Sequence, residues 1–335
     1  MIAYIYIKYK NEDDYKMNIN ISFLGLGVVG SKLMEYIRNS LKKINDTYDV
    51  RLTIGPVYVR DAAKKRGCDT SGLTLTNDPY AAVREADIVI ECMGGNGTEL
   101  THELMSTAIQ ERRSVIMSSK KCLALYGKDL AQTAEANKVS LRYEATVGGC
   151  IPLNSTFENM GRCETVNRIY GICNATSNFI LGEMTQGVGY QSALQKAVEL
   201  GIAENNPAED VDGWDTLYKT VIMAGFGMKY WLDYRSIAPV SIRSLTKHDF
   251  EDAERQNSVI KPFFSIELCE DGIQCRIGPE AVPKDTILAS VGANNNVIVI
   301  ESSESGKRAF IGQGAGARPT ASAMYDDLIK TITVR

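Results

Sequence analysis

Apolar and polar residues alternate through residues 18–24 (NINISFL), a period of two with β-branched side chains that predicts a strand. After a glycine-rich turn, residues 31–44 (SKLMEYIRNSLKKI) space their apolar side chains three and four apart, the period of a helix with one buried face. The alternation continues. Strands are predicted at 55–59, 86–92, 114–117 and 140–143, with helices at 98–112 and 129–137. Short apolar strands taking turns with helices imply an α/β fold on a doubly wound parallel sheet. Beyond residue 152 the order changes to helices at 155–160, 179–185 and 191–200, a strand at 168–173, and strand-like runs at 262–268, 272–279 and 296–302. These predict a second, α+β domain whose sheet is open on one face, a surface suited to a second copy of the chain.

Between the first strand and helix stands Gly25-Leu26-Gly27-Val28-Val29-Gly30. In strand–turn–helix context this is the dinucleotide-binding pattern: Gly25 makes the tight turn, Gly27 lets a pyrophosphate approach the backbone, and Gly30 lets helix pack on strand. The helix N-terminus adds amide donors for the phosphates. The first half is therefore read as a Rossmann-type domain. The strand at 55–59 ends at Arg60-Asp61, followed by Lys64 and Lys65. An acid there reads the ribose hydroxyl of NAD, and an arginine accommodates the 2′-phosphate of NADP. Arg60 comes first, so NADP is favoured. Met93 and Gly94 form a loop at the carboxyl end of the next strand, the edge where open α/β sheets bind ligands. Lys120 follows the strand at 114–117 and either faces that crevice or belongs to a solvated pair with Lys121. The expected division is an N-terminal extension (1–16), a dinucleotide-binding domain (17–150), a catalytic and dimerisation domain (151–310), and a loop and helix (311–335) returning to the first domain.

Composition narrows the rest. The 335 residues suffice for two cores, and 44% apolar with 23% charged residues is ordinary for a soluble protein. A net charge of -4 without a basic cluster argues against nucleic acid or an anionic membrane as partner, leaving a small-molecule substrate. No apolar run of about 18 residues suggests a span. The eight cysteines show no C-x-x-C spacing and the two histidines lie far apart, at 102 and 248, so neither zinc nor a disulfide framework is expected, and reduced thiols fit the cytoplasm.

Residues 199–224 (ELGIAENNPAEDVDGWDTLYKTVIMA) gather six acids and one lysine in a run that ends as an apolar-faced helix. Asp215 and Lys219, four apart, share a helix face. Such a pair is either a surface salt bridge or a catalytic couple.

Together these stretches resemble the homoserine dehydrogenases, from about residue 21 to 328. The resemblance is carried by GLGVVG; by SSKK at 118–121; by EATVGGCIP at 144–152; by GICNATSN at 171–178; by GIAENNPAEDVDGWDTLYK at 201–219; and by GQGAGARPTASA at 312–323. It implies NAD(P)-dependent interconversion of L-homoserine and L-aspartate 4-semialdehyde, in the biosynthesis of threonine, methionine and isoleucine, by a homodimer. It also implies Lys219 as proton donor and acceptor, assisted by Lys120, with Glu204 and Asp215 on the substrate, Thr176 and Asn206 beside them, and Gly201, Gly314 and Gly316 closing over the nicotinamide. A structural sodium or potassium ion would map to the Glu144 carboxylate and the carbonyls of Val147, Gly149 and Ile151. The chain's end suggests a short form with no C-terminal regulatory domain.

Three departures stand out: Asn206 for an aspartate, Ala175 for a loop glycine, and Cys150 for a glycine. Two other readings stay open. Cys150 as nucleophile would make an acylating semialdehyde dehydrogenase. A chain that binds the dinucleotide without catalysis would be a sensor.

Overall fold

The computed structural model describes residues 15–94, 97–160, 163–204, 206–292 and 295–334, so most of the expected extension 1–16 lies outside the described residues. Two compact units emerge, one from residues 1–119, 129–143 and 324–335, the other from 120–128 and 144–323. The division falls after residue 143 instead of 150, and a short piece, 120–128, joins the second unit.

In the first unit, β1 (Met17–Leu24), α1 (Val28–Tyr48), β2 (Val50–Tyr58), β3 (Leu75–Thr76), α2 (Pro79–Arg84), β4 (Ile88–Glu91), α3 (Thr98–Gln110), β5 (Ser114–Met117), α4 (Lys120–Asn137, entering the second unit at its start) and β6 (Leu141–Arg142) follow in order. The sheet is parallel with strand order β3-β2-β1-β4-β5-β6, the doubly wound arrangement whose order reverses beside β1. Strands β4 and β5 are buried at every residue, as a sheet covered on both faces requires. Leu33, Met34, Ile37 and Ile44 of α1 are buried at helical spacing, each such side chain contributing about 1.5–3 kcal/mol relative to exposure.

The second unit adds α5 (Leu153–Asn159), β7 (Val166–Ile172), α6 (Ala175–Thr185), α7 (Tyr190–Glu199), α8 (Ala208–Val211), α9 (Trp214–Ile222), α10 (Lys247–Arg255), β8 (Ser258–Cys269), β9 (Gly272–Pro283), α11 (Ile287–Ser290), β10 (Asn295–Ser302), β11 (Gly306–Gln313) and α12 (Ala317–Thr333), which ends in the first unit. Its sheet, β11-β10-β7-β8-β9, is antiparallel throughout. Helices α6, α7 and α10 cover one face through Ile180, Leu181, Ala193, Ala197 and Ala253, against Ile260 of β8. The face expected to be open is partly covered, because Leu288 and Val291 pack with Phe263, Val297 and Val299.

Several elements differ from the sequence expectation. Helix α4 begins at Lys120, not 129, so Lys120 opens a helix instead of ending a strand. Helix α10 was not anticipated; its polar sequence is held by a capping box between Thr246 and Asp249. Strand β11 has no counterpart in the sequence expectation and reaches the expected terminal loop only at its last residues; its alternating exposed side chains leave little hydrophobic pattern.

Candidate active site

The glycine turn is built by close approach. Gly25 has φ +102°, and a Cβ there would stand 2.5 Å from the Cys92 carbonyl oxygen, so a larger residue would push β1 from β4. At Gly27, the N-cap of α1, a Cβ would meet nothing within 4 Å: the backbone faces open space. That space is a groove of 380 Å³ lined by Gly25, Gly27, Arg60, Asp61, Lys64, Arg66 and Met93, among others. The groove therefore suits a dinucleotide's pyrophosphate and adenosine ends. Val28 is 79% exposed at the helix start, and Gly30 packs against the Gly25 carbonyl. Arg66, which sequence reading passed over, donates to the Asp61 carbonyl, while Asp61 Oδ1 accepts from Ala63 N at 2.9 Å. The Asp61 carboxylate is thus turned into its own loop.

Below this edge sits Glu91, fully buried at the end of β4. Its Oε1 accepts from Met93 N at 2.7 Å, and its Oε2 from Ser118 N and Ser119 N at 3.0 and 2.8 Å. Burial pushes its pKa up, and the three amides, Met93 first, pull it down. A charged residue inside the apolar run IVIEC was the available signal.

In the second unit, Asp215 lies in the first turn of α9 and Lys219 in its last, each sign at the helix end that favours it. Both are buried. Lys219 Nζ donates to Asp215 Oδ2 at 2.7 Å and to the Cys173 carbonyl at 2.8 Å. Lys120, brought in on the start of α4, meets Asp215 Oδ1 at 2.8 Å. One carboxylate thus binds both lysines. Burial alone would push its pKa up, but Lys219 and then Lys120 hold it well below the usual range. The charge of Asp215 in turn holds the Lys120 ammonium above the usual lysine range. Asn174 Nδ2 donates to Asp215 Oδ2 at 2.8 Å and to Asp210 Oδ1 at 2.7 Å, drawing in a second carboxylate. Burial first, and then Asp215, push Asp210 up.

Other expected site residues are more scattered. Thr176 is buried at the start of α6, its hydroxyl donating to the Ile202 carbonyl at 3.1 Å. Gly201 follows α7 with φ +68°. Glu204 and Asn206 are exposed and make no hydrogen bond or ion pair with other described residues. Gly314 is buried against the Asn296 amide, and Gly316 leads into α12. Glu144 accepts from Asn154 N and Ser155 N, both at 2.9 Å, and from the Ser155 hydroxyl, securing the start of α5. The nearby Ile151 carbonyl accepts from Leu153 N at 2.8 Å. Cys150 is exposed beside the Gln313 carbonyl. His102 pairs with Asp129 and His248 with Asp252.

A glycine-edged groove on the doubly wound sheet of the first unit and, in the second, two lysines around one buried carboxylate are the features of a nicotinamide-nucleotide-dependent oxidoreductase. Residues 25–144 match the family described as homoserine dehydrogenase, NAD binding domain, and residues 152–329 the one described as homoserine dehydrogenase. The chain is 34% identical over 321 residues to the homoserine dehydrogenase of Lactococcus lactis, covering 94% of this chain and 74% of that one. A crystal structure of a homoserine dehydrogenase from Thiobacillus denitrificans superposes with a TM-score of 0.88 at 30% identity, over 95% of this chain and 74% of that one. A hyperthermophilic archaeal homoserine dehydrogenase mutant in complex with NADPH superposes with a TM-score of 0.76 at 25% identity, over 94% and 98%. The chain belongs to the homoserine dehydrogenase family. Among the described residues no helix is long and apolar enough to cross a membrane.

Proposed function

We propose that the chain interconverts L-homoserine and L-aspartate 4-semialdehyde with Lys219 as the proton-transferring group. The observation that carries this is the buried Asp215 carboxylate binding Lys219 and Lys120 at 2.7 and 2.8 Å. As an ammonium, Lys219 has three protons; Asp215 and the Cys173 carbonyl take two, which leaves one for a substrate oxygen. In the reducing direction that proton neutralises the alkoxide forming at C4. In the oxidising direction the neutral amine takes the hydroxyl proton as hydride leaves C4. The nicotinamide, when bound, supplies or accepts the hydride. Lys120 adds positive charge at the same oxygen, and the Cys173 thiol, pushed up to about 12 by burial, takes no part.

The substrate's polar groups are assigned to Glu204, Asp210 and Asp215, with Thr176 and Asn206 alongside. Thr176 supports this by tying the segment that leads to Glu204 onto α6. Gly201, Gly314 and Gly316 are kept as the residues closing over the nicotinamide. Lys219→Ala is expected to lower kcat by about 10²–10⁴-fold while NADPH binding persists. Reduced-nicotinamide absorbance and a fluorescence titration measure the two; near-normal turnover in this variant would return the sensor reading. Absence of homoserine oxidation by the unaltered protein with either nucleotide would refute the assignment outright.

NADP is the proposed cofactor, supported by Arg60, Lys64 and Arg66 along the groove and by the inward turn of Asp61. Arg60→Ala should raise KM for NADP about 10–100-fold, the loss of a charge-assisted hydrogen bond, and that for NAD far less. Equal losses with both would count against the preference. A sodium or potassium ion at Glu144 and the carbonyls of Val147, Gly149 and Ile151 is retained as a proposal, as are a cytoplasmic location and a homodimer. The exposed edge strand β11, with Ile311 54% exposed, supports the last.

A further inference from the structure

We infer that Asn174 is a positioning residue that holds Asp210 and Asp215 together as an oriented pair of carboxylates, an inference that rests on the proposed function. Asn174 is 2% exposed and stands as the N-cap of α6. Its Oδ1 accepts from Ser177 N at 2.8 Å, which fixes the amide's direction. The NH₂ group must then face the other way, and each of its two protons has a carboxylate: Asp210 Oδ1 at 2.7 Å and Asp215 Oδ2 at 2.8 Å. A reversed amide would set its oxygen against two carboxylate oxygens. The cap and the bridge are thus one device, and the helix that presents Thr176 is locked to the pair beside Lys219.

The bridge divides the work at Asp215. Oδ1 takes Lys120, whereas Oδ2 takes both Lys219 and Asn174, so the carboxylate cannot rotate without losing a partner. Asp210 gains more. Among the described residues Asn174 is the hydrogen-bond donor to its carboxylate, and the charged groups facing it are Asp215 and Lys219 from α9 and Lys120 from α4. Burial and the charge of Asp215 disfavour ionised Asp210; the Asn174 proton and the two lysines favour it. An ionised Asp210 is what a substrate ammonium requires.

Two variants test this. Serine and aspartate at 174 both keep an N-cap acceptor, but Asn174→Ser loses the reach to the carboxylates and Asn174→Asp adds a third one. Removing a donor to an ionised acid raises its pKa, so the acid limb of kcat/KM against pH should move upward by about one unit in N174S and further in N174D. At neutral pH kcat/KM should fall about 10–100-fold, mostly through KM for homoserine. A merely structural role would lower activity evenly at all pH values. A cooperative thermal melt confirms that each variant is folded, and N174S decides if N174D does not fold. Carbon-13 carboxyl titration of aspartate-labelled protein, with D210N for assignment, reads Asp210 without turnover. An upward shift of Asp210 in N174S supports the inference even if the unaltered protein oxidises no homoserine, a result that would count against the reaction alone. With active wild type, an unshifted profile and an unshifted Asp210 resonance in N174S overturn it.

Discussion

Replacing Asp215 with asparagine is expected to reduce turnover by about a hundredfold or more and to lower the melting temperature at neutral pH by about 5–10 °C. The carboxylate neutralises Lys219, whose side chain is 10% exposed, and Lys120, whose side chain is 38% exposed. Removing one partner from a buried charge pair leaves the other uncompensated, at a cost of about 3–5 kcal/mol; the half-open Lys120 falls at the lower end because solvent screens it. An asparagine would also present NH₂ protons to one of two ammonium groups. The pH dependence supplies a check. Asp215 has a depressed folded pKa, so its contribution is present above the unfolded value of about 3.9 and is lost as pH falls through the lower folded value. Lys120 has a raised folded pKa, so its contribution is present below the unfolded value of about 10.4 and is lost as pH rises through the higher folded one. The deficit of D215N should therefore be full between these limits and shrink on strong acidification. Calorimetry across pH measures it, and an unchanged melting temperature at neutral pH would show that the pair is not the anchor described.

Why was Asp215–Lys219 legible and the rest of the cluster not? The pair lies four apart on a helix, and helix geometry alone makes such residues neighbours. Lys120 reaches the same carboxylate from a distant segment, and only because α4 begins at that residue; the motif resemblance suggested a partnership that no spacing rule contains. Asn174 and Asp210 were harder still. Their roles depend on which way one amide faces, and a backbone N–H at Ser177 decides that. Conversely, Glu204 and Asn206 read as strongly as Asp215 in the motif, yet they are exposed and make no hydrogen bond or ion pair with other described residues, since a run of acids carries no record of which side chains the fold turns inward. The first domain was far clearer. A period of two, then glycines, then a period near four specifies strand, turn and helix locally, so β1, the turn and α1 follow from short-range physics. Strand β11 and helix α10 lack strong apolar periods, and tertiary pairing and end-capping place them instead.

Glu91→Gln is the second large effect to expect, with a loss of about 2–3 kcal/mol of stability and about tenfold weaker NADPH binding. The substitution conserves shape, so the difference is one of hydrogen-bond sense. The three backbone groups pointing at the Glu91 carboxylate are N–H donors, two on Oε2 and one on Oε1, and the Ser118 hydroxyl lies beside them. A carboxylate accepts at both oxygens; a carboxamide accepts at one and donates at the other. If the glutamine oxygen keeps Ser118 and Ser119, its NH₂ opposes Met93 N–H, and the loop that lines the dinucleotide groove is released. If it turns over, two amides at the end of β5 are orphaned instead, at greater cost. One gain opposes this, since burying a neutral amide is less costly than burying a carboxylate, as the upward push of burial on Glu91 indicates. The deciding magnitude is the desolvation penalty of an unsatisfied buried N–H, about 1–3 kcal/mol each. Thermal melts and NADPH titration of E91Q would measure both effects, with Glu91→Ala as the harsher case. A variant as stable as the parent would mean that burying the charge costs as much as its three amides return, and Glu91 would then not be the clamp that holds Met93 at the groove.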